Sequence, residues 1–523
     1  MVRHLLLPAL LLLGYEASGA PQERRRPNFV VVLIDDLGWN GSPIRMDPAL
    51  PASAMPLLEM PRLEQFARQS MQFRNAYAGG PQCSPGRVCL QTGLSAARSG
   101  FTVFMEGVED TYPEPNVDQP EHDVDVHKHR RLLPVLACTS DLNLDREETT
   151  IAEALAPLGY RSALFGKWHM RGNGPGDHGY SESDGNTNGA KSDRARPEDP
   201  KQIFSITRRS IDFVRRQVRE GRPFHLQVSH YALHSRWECR PETHAKYAGH
   251  PALVRAFEGI ADGRERARAL GKAARWFGMA EDLDAAIGQL LDELVRLGIA
   301  DETYVVVTSD NGMRHEEAWS AVGQGPFPMR GSKWWIWDGG LRVPLWVRGP
   351  GIPGGEVCHA NVAGYDLLPT FHDLAGGEAE TLGEIDGSSL RELLHGAEDP
   401  AFGERPLYFH YPHYRGGVPG SAIVSGRWKV VHLYEQPEAE LLFDTWTDAG
   451  ETRSLAGEHP EVYAGLKERL FTYLADVGAR MPIPNPDHDA EELAAWYAAK
   501  ESRLEEKAAR DRWRWPGTTG PPD

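Results

Sequence analysis

The stretch Phe29-Val30-Val31-Val32-Leu33-Ile34, followed directly by Asp35-Asp36, decides the fold of this 523-residue chain. An unbroken apolar run rich in β-branched residues is typical of a strand buried on both faces of a parallel sheet. A second run, Tyr304-Val305-Val306-Val307-Thr308, has the same pattern and leads through Ser309 into Asp310-Asn311. Ligands of open α/β sheets bind beyond the carboxyl ends of strands, so both polar pairs lie where a site is expected.

Weaker patterns between these two runs alternate between strand and helix. Residues 162–165 and 224–229 are strand candidates, and each is followed closely by a histidine. Helical spacing places two sets of apolar residues on single faces. The first set is Leu63, Phe66, Ala67 and Met71, and the second is Leu283, Ile287, Leu290, Leu291 and Leu294, which ends before a capping glycine at Gly298. This alternation predicts an α/β fold with a mainly parallel sheet.

Composition divides the chain into four parts. Residues 1–20 have a basic start, an apolar stretch and a small-residue cleavage site, which predict a signal peptide and a secreted or periplasmic protein. No other stretch approaches the roughly 18 apolar residues of a membrane span, so we expect no stable membrane anchor. A Gly- and Glu-rich stretch over 376–406 indicates a boundary. We predict a catalytic domain over 27–395, a small C-terminal α+β domain over 396–485 and a charged tail over 486–523.

The charge of the chain limits its partners. The formal net charge of -17 argues against a nucleic-acid partner. The same charge repels anionic polymers at long range, so a site for an anionic ligand needs strong local positive charge.

Asp35, Asp36, Asp310 and Asn311 all carry oxygen ligands. Carboxylates together with an amide oxygen suit a hard cation, Ca²⁺ or Mg²⁺, better than zinc. Either pair alone would be interpreted as a loop or cap at a strand end. Two such pairs after two similar strands instead favour a metal site.

The stretch Cys83-Ser84-Pro85-Gly86-Arg87 places an activatable cysteine near an arginine. On its own it is also consistent with a Pro-Gly turn that contains an incidental cysteine. However, Leu90-Gln91-Thr92-Gly93 follows it, and further blocks with histidine or lysine lie downstream. These blocks are Gly166-Lys167-Trp168-His169, Ser229-His230-Tyr231-Ala232-Leu233-His234 and Gly331-Ser332-Lys333, with Asp338-Gly339-Gly340-Leu341-Arg342-Val343-Pro344 after the last.

In this order, the blocks resemble the formylglycine-dependent, arylsulfatase-like sulfatase family of the alkaline phosphatase superfamily. The resemblance covers most of the chain and rests on C-x-P-x-R with its L-x-T-G continuation. It implies an alkaline-phosphatase-like α/β/α sandwich with a smaller C-terminal α+β domain, and sulfate ester hydrolysis as the activity. The chain departs from the family pattern at Leu233, where proline is usual, and at Asp338, where glutamate is commoner.

The resemblance also implies a role for each site residue. A formylglycine-generating enzyme would oxidise Cys83 to formylglycine, whose hydrate attacks the sulfate ester. Arg87 would hold this nucleophile, and the metal would be bound by Asp35, Asp36, Asp310, Asn311 and the side chain at position 83. Lys167 and Lys333 would stabilise the sulfate group, His169 would regenerate the aldehyde, and His234 would protonate the leaving alcohol, with His230 as its competitor.

The expected substrate is a sulfated carbohydrate or another sulfate ester, and two other functions stay open. A related metal-dependent phosphoesterase would favour a Ser or Thr nucleophile and a His-rich, zinc-like set of ligands. A catalytically inactive protein that binds sulfated glycans is consistent with the same residues if Cys83 stays unmodified. Trp334, Trp335 and Trp337 either line a sugar-binding rim or pack in the core. The stretch from His410 to Tyr414 is interpreted as a substrate rim, a structural turn or a domain contact.

Overall fold

The computed structural model describes residues 26–104, 130–188, 196–314, 328–397, 399–414 and 417–495. The predicted signal peptide and most of the predicted charged tail lie outside these residues. Within them, we find no helix with the length and apolar character that a bilayer crossing requires.

The described residues form fourteen strands and thirteen α-helices, joined by loops and short 3-10 turns. The strands are β1 (Asn28–Ile34), β2 (Met71–Tyr77), β3 (Val135–Leu136), β4 (Arg161–Gly166), β5 (Glu182–Ser183), β6 (Phe224–His230), β7 (Thr303–Ser309), β8 (Leu345–Arg348), β9 (Val357–Ala363), β10 (Leu407–Tyr411), β11 (Gly420–Ser425), β12 (Trp428–Leu433), β13 (Leu441–Asp444) and β14 (Ile483–Pro484). The helices are α1 (Pro61–Arg68), α2 (Cys83–Thr92), α3 (Ala96–Ser99), α4 (Ile151–Leu155), α5 (Ile203–Glu220), α6 (Pro241–Ala248), α7 (Pro251–Ala256), α8 (Gly263–Arg296), α9 (Asp338–Leu341), α10 (Leu367–Leu374), α11 (Arg391–Leu394), α12 (Pro400–Gly403) and α13 (Pro460–Asp476).

The main sheet has eight strands in the order β5-β4-β6-β1-β7-β8-β2-β9. β1 lies at its centre and pairs in parallel with β6 and β7, whereas β8 runs antiparallel to both of its neighbours. All four strands predicted from the sequence are confirmed as β1, β4, β6 and β7. The sheet is therefore mainly parallel, as expected.

Alternate residues of β1 enter two different hydrophobic cores. Val30, Val32 and Ile34 pack in one core with α1, α5 and α8, whereas Phe29 and its alternate neighbours pack in a second core with α4 and α10. Because every residue of β1 is buried, the strand has no polar face, which explains its unbroken apolar sequence. The result is the expected alkaline-phosphatase-like α/β/α sandwich.

One helix prediction needs correction, and another is confirmed within a longer helix. Met71 does not continue the face of α1, because α1 ends at Arg68 and Met71 begins β2. The stripe from Leu283 to Leu294 is confirmed, but its helix, α8, begins about five turns earlier, at Gly263. The N-terminal half of α8 has a weaker apolar pattern, since its first residues are exposed.

A smaller antiparallel sheet, β10-β11-β12-β13, lies after the main sheet in the chain. Ile423, Val430 and Leu442 of this sheet pack against Leu466 and Leu470 of α13. The mixed α+β character predicted for the C-terminal region is confirmed. We propose the division at residue 395 as the domain boundary, because the first strand of the second sheet begins soon after it, at Leu407.

Candidate active site

The residues that follow β1 and β7 meet at the carboxyl edge of the sheet. β1 and β7 pair in register, with Ile34 opposite Ser309, so the polar residues after each strand become neighbours. Asp35, Asp36 and Asp310 are joined there by Cys83, and the ligand atoms of all four lie within 4.8 Å of one another. All four side chains are buried. We call these four residues the strand-end cluster.

A glycine brings Cys83 to the acids. Cys83 is the first residue of α2, and Gly86 in the first turn of this helix touches the backbone of Asp310. A Cβ atom at Gly86 would lie 1.9 Å from the Asp310 carbonyl oxygen, so no other residue fits without movement. This close approach leaves the Cys83 Sγ 3.5 Å from Asp35 Oδ1 and 3.9 Å from Asp36 Oδ1.

Three cations surround the strand-end cluster. Arg87 binds Asp310 through Nε and Nη2, at 2.8 and 2.6 Å. Lys167 Nζ donates to Asp35 Oδ2 at 2.6 Å. Lys333 Nζ contacts both Asp36 Oδ1, at 2.6 Å, and the sulfur of Cys83, at 3.0 Å. The site therefore supplies three of the cations that an anionic ligand requires in this acidic protein, each paired with a carboxylate of the strand-end cluster.

Burial and these ion pairs set the protonation states. Burial opposes ionisation of Asp35, yet Lys167 and the other nearby cations, Arg87 and Lys333, hold the pKa of its carboxyl well below the usual range. Burial, followed by the charge of Asp35, raises the pKa of the Cys83 thiol, so this residue is a neutral thiol at pH 7. Burial also raises the pKa of Asp310 to about 6, against the opposing effect of Arg87. An unmodified Cys83 is thus poorly suited to act as a nucleophile.

The donor atoms fit a hard cation. Asn311 Nδ2 donates to Asp36 Oδ1 at 2.7 Å and to the Gly312 carbonyl at 2.8 Å. Its Oδ1 atom is buried and accepts no hydrogen bond from any residue that the structure describes. A buried amide oxygen beside three carboxylates is a ligand set for Ca²⁺ or Mg²⁺. The Cys83 thiol is the one soft group in this set, so the residues fit such a cation best when position 83 carries an oxygen.

His169 lies beside Lys167 and has a fixed ring. Its backbone N–H donates to the Thr187 carbonyl at 2.8 Å, and its ring packs on Phe104 with 4.3 Å between centroids. Burial, together with the charges of Lys167 and Arg87, lowers the pKa of His169 well below its ordinary value. The ring is therefore a neutral imidazole, which can accept a proton.

His234 rather than His230 lies near the cations of the site. Burial, with the charges of Lys333 and Lys167, lowers the pKa of His234 to about 4. Its Nδ1–H donates to the Ser235 carbonyl at 2.5 Å, which fixes the ring and leaves Nε2 as the other nitrogen. His230 is buried, and burial lowers its pKa to about 3, while the charges that act on its ring are those of Asp199 and Arg209.

The structure also bears on the tryptophans near Lys333 and on the stretch from His410 to Tyr414. Trp337 is buried and packs on Phe443, which favours its role in the core. Trp334 lies over Lys333, with 5.5 Å between the ring centroid and Nζ. His410 and His413 are buried and bonded to other parts of the chain, so the structure favours a domain contact over a substrate rim for this stretch. All five cysteines are free.

The structure also adds residues that no motif indicated. Lys429 makes buried ion pairs with Asp338, in the turn that follows the Lys333 loop, and with Glu451. Each lies in a strand or loop of the C-terminal region, at least 85 positions from the motifs of the site. The local signal in the sequence is a lysine within the strand Trp428–Leu433, whose other residues, apart from His432, are apolar.

The fold and the acid-rich site at the sheet edge together define an alkaline-phosphatase-like hydrolase. The chain belongs to the sulfatase family: the family profile described as Sulfatase matches residues 27–377. A second profile, described as N-sulphoglucosamine sulphohydrolase, C-terminal, matches residues 331–476. The family resemblance stated from the motifs is thereby confirmed, and the chain is a sulfuric ester hydrolase.

Individual proteins show the same similarity. The chain is 30% identical over 486 residues to N-acetylgalactosamine-6-sulfatase of Sus scrofa. The alignment covers 86% of this chain and 77% of that protein. It superposes with a TM-score of 0.64 and 20% identity on Ps i-CgsB, solved in complex with k-i-k-neocarrahexaose, over 92% of this chain and 99% of that one. A third protein was solved with its substrate, D-glucosamine-2-N,6-O-disulfate, and superposes with a TM-score of 0.61 and 18% identity over 86% of this chain and 97% of that one. The two structural similarities define the fold.

Proposed function

We propose that this sulfatase is exported, acts on sulfated carbohydrates, and uses formylglycine at position 83 together with a Ca²⁺ or Mg²⁺ ion. The observation that carries the proposal is the position of Cys83, whose sulfur lies within 3.9 Å of two carboxylates and 3.0 Å from the ammonium of Lys333. A neutral thiol gains little from these neighbours, whereas an oxygen nucleophile would be activated and oriented by them.

The metal ion and the aldehyde would each be held at specific residues of the site. Asp35, Asp36, Asp310 and Asn311 would hold the cation, which supplies positive charge to the sulfate oxygens. Oxidation would convert the CH₂–SH group of Cys83 to an aldehyde with loss of sulfur, and a formylglycine-generating enzyme would supply the oxidant. The hydrate of that aldehyde would supply the oxygen nucleophile for the ester sulfur.

The side chains of this protein bind the sulfate and move the protons. The ammonium of Lys333 contacts position 83 and that of Lys167 contacts Asp35, and both would bind the sulfate oxygens, while Arg87 keeps Asp310 oriented. A bound sulfate would oppose the charges of both lysines and so raise the pKa of His234, which lets Nε2 carry a proton to the leaving alcohol. His169, a neutral imidazole, would accept a proton from the side chain of residue 83 when sulfate leaves.

A polar cavity beside the site supports a carbohydrate substrate. The cavity has a volume of about 340 Å³, within the usual range for small-ligand sites. Its wall includes His169, Arg171, Asn143, Asn186 and Asn188, which offer amide and guanidinium groups to sugar hydroxyls. The related N-acetylgalactosamine-6-sulfatase, by its name, and the protein solved with a disulfated glucosamine also act on sulfated sugars.

Cys83 is the residue that tests this proposal. Protein made with a maturation enzyme should contain an aldehyde at position 83, and turnover of a sulfate ester should rise in proportion to the aldehyde fraction found by peptide mass analysis. Cys83→Ala should abolish turnover, whereas Cys89→Ala, a matched change of a buried cysteine in the same helix, should preserve it.

The same measurements separate the alternatives. Activity without any aldehyde would contradict the proposed mechanism. Complete modification without turnover of any sulfate ester, but with retained binding of a sulfated glycan, would favour a binding protein. Faster turnover of phosphate esters than of sulfate esters would favour a phosphoesterase.

A further inference from the structure

A second buried cluster of charges lies where the C-terminal sheet meets the catalytic domain. Lys429 Nζ, on β12, lies 2.7 Å from Asp338 Oδ1 and 2.7 Å from Glu451 Oε1. All three side chains are completely inaccessible to solvent. We call Lys429, Asp338 and Glu451 the junction triad. Two of its members come from the C-terminal region, and Asp338 comes from the catalytic domain.

The junction triad fixes the start of the short helix α9. Asp338 is the first residue of α9, and its backbone N–H donates to Glu451 Oε2 at 2.7 Å. The side chain and the backbone of Asp338 are thus both held by the C-terminal region. Arg342, at the end of the same turn, adds a weaker contact with Asp338 at 3.7 Å.

α9 is packed directly on the loop that carries Lys333. A Cβ atom at Gly340 would lie 2.5 Å from the Ser332 carbonyl oxygen, and one at Gly339 would lie 2.3 Å from that of Gly331. Backbones at this separation cannot slide past each other without a clash. The turn and the loop must therefore shift together.

The same turn and loop contact the strand-end cluster. Gly312 N–H, next to the amide ligand Asn311, donates to the Gly340 carbonyl at 2.8 Å. Lys333 N–H donates to the Met313 carbonyl at 2.9 Å, while its Nζ reaches Asp36 and Cys83. A displacement of Asp338 would consequently move the ammonium of Lys333 relative to the sulfur of Cys83.

Stability alone does not account for the junction triad. Desolvation of buried charges costs about as much as their attraction returns, so apolar residues of similar volume often serve a fold as well. We propose that Lys429 and Glu451 are positioning residues, which act through Asp338 to hold Lys333 where it binds the transferring sulfate group. This inference rests on the role proposed above for Lys333.

A double-mutant cycle tests the inference. Lys429→Met in the otherwise unchanged enzyme should lower kcat/KM for a small sulfate ester by roughly 10- to 100-fold, since small misplacements near the reacting atoms have effects of this size. In a Lys333→Ala background the same change should lower kcat/KM by less than about threefold, because the group that it positions is gone. Equal losses in both backgrounds would show a general structural role and overturn the inference.

Two further variants provide a substitute for Lys429→Met and a control for the loss of a buried ion pair. Lys429→Met leaves two buried carboxylates without their lysine, and if it fails to fold, the cycle is run with Lys429→Met/Glu451→Gln, which removes one charge of each sign. Arg405→Met breaks another buried ion pair, with Asp366 at 2.6 Å, and should lower the melting temperature but leave kcat/KM within about twofold.

The outcomes for the two proposals are distinguishable. Absence of sulfate ester turnover in the fully modified wild-type enzyme would contradict the proposed function. Normal wild-type turnover, with unchanged kcat/KM in a folded Lys429→Met variant, would contradict the positioning role alone. A loss in Arg405→Met as large as that in Lys429→Met would also overturn it.

Discussion

The strand-end cluster and the junction triad are both buried groups of acids and cations, yet they are built differently. In the strand-end cluster, ligand atoms from three carboxylates and a thiol converge within 4.8 Å, and a nearby amide oxygen accepts no hydrogen bond from the described residues. In the junction triad, one lysine is enclosed by two carboxylates that lie 113 positions apart in the chain. Oxygen atoms that converge on one point form a site where a metal ion can bind. In the junction triad, the ammonium of Lys429 already fills the space between the two carboxylates. Burial of charge alone therefore does not indicate catalysis.

The largest expected difference between the two clusters is in metal content. Asp310→Ala should lose bound Ca²⁺ and at least about 100-fold in kcat, because it removes a ligand and frees Arg87 from its partner. Asp338→Ala removes an acid of the junction triad and should keep the metal while its melting temperature falls. Elemental analysis of the purified, folded variants measures this difference. Undiminished calcium in Asp310→Ala would remove Asp310 from the ligand set.

A smaller and selective effect is expected at His234, at the edge of the strand-end cluster. His234→Ala should reduce kcat by about 100-fold for esters of sugar alcohols, whose leaving groups need a proton. Esters of acidic phenols should be affected much less, since their leaving groups depart without one. Rates for a series of leaving groups give this comparison, with His230→Ala as the matched control. Equal losses on both kinds of ester, or a larger selective loss in His230→Ala, would move the role elsewhere.

The smallest expected effect concerns the C-terminal region away from the junction triad. Gly465 is exposed within α13, and a Cβ atom there would meet no atom within 4 Å. Gly465→Ala should therefore raise the free energy of unfolding by roughly 0.5–1 kcal/mol, with no change in kcat/KM. Denaturant unfolding and steady-state kinetics measure the two quantities. A change in turnover here would show that the C-terminal region influences the site by more routes than the junction triad.

The two clusters also differ in how far the sequence predicts them. The strand-end cluster follows from local patterns, since an apolar run and the polar pair after it are contiguous and parallel pairing brings the two strand ends together. The junction triad depends on contacts between residues about 90 positions apart in the chain, as between Asp338 and Lys429. Such contacts leave no periodic or contiguous signal. The choice between His230 and His234 as the proton donor could not be made from the sequence either. It depends on burial and on neighbouring charges, which also leave no contiguous signal.

The burial of Cys83 has a consequence for the order of events in biosynthesis. The side chain is only 3% exposed and lies in the first turn of a helix whose residues are all buried. An enzyme that oxidises this residue cannot bind the surrounding stretch once the sheet and α2 have assembled. If the modification proposed above occurs, it therefore competes with folding, and slower folding should yield a larger active fraction. The specific activity of a preparation would then depend on the conditions under which its chains were synthesised. Two preparations could differ in activity although their chains have the same sequence and the same final fold.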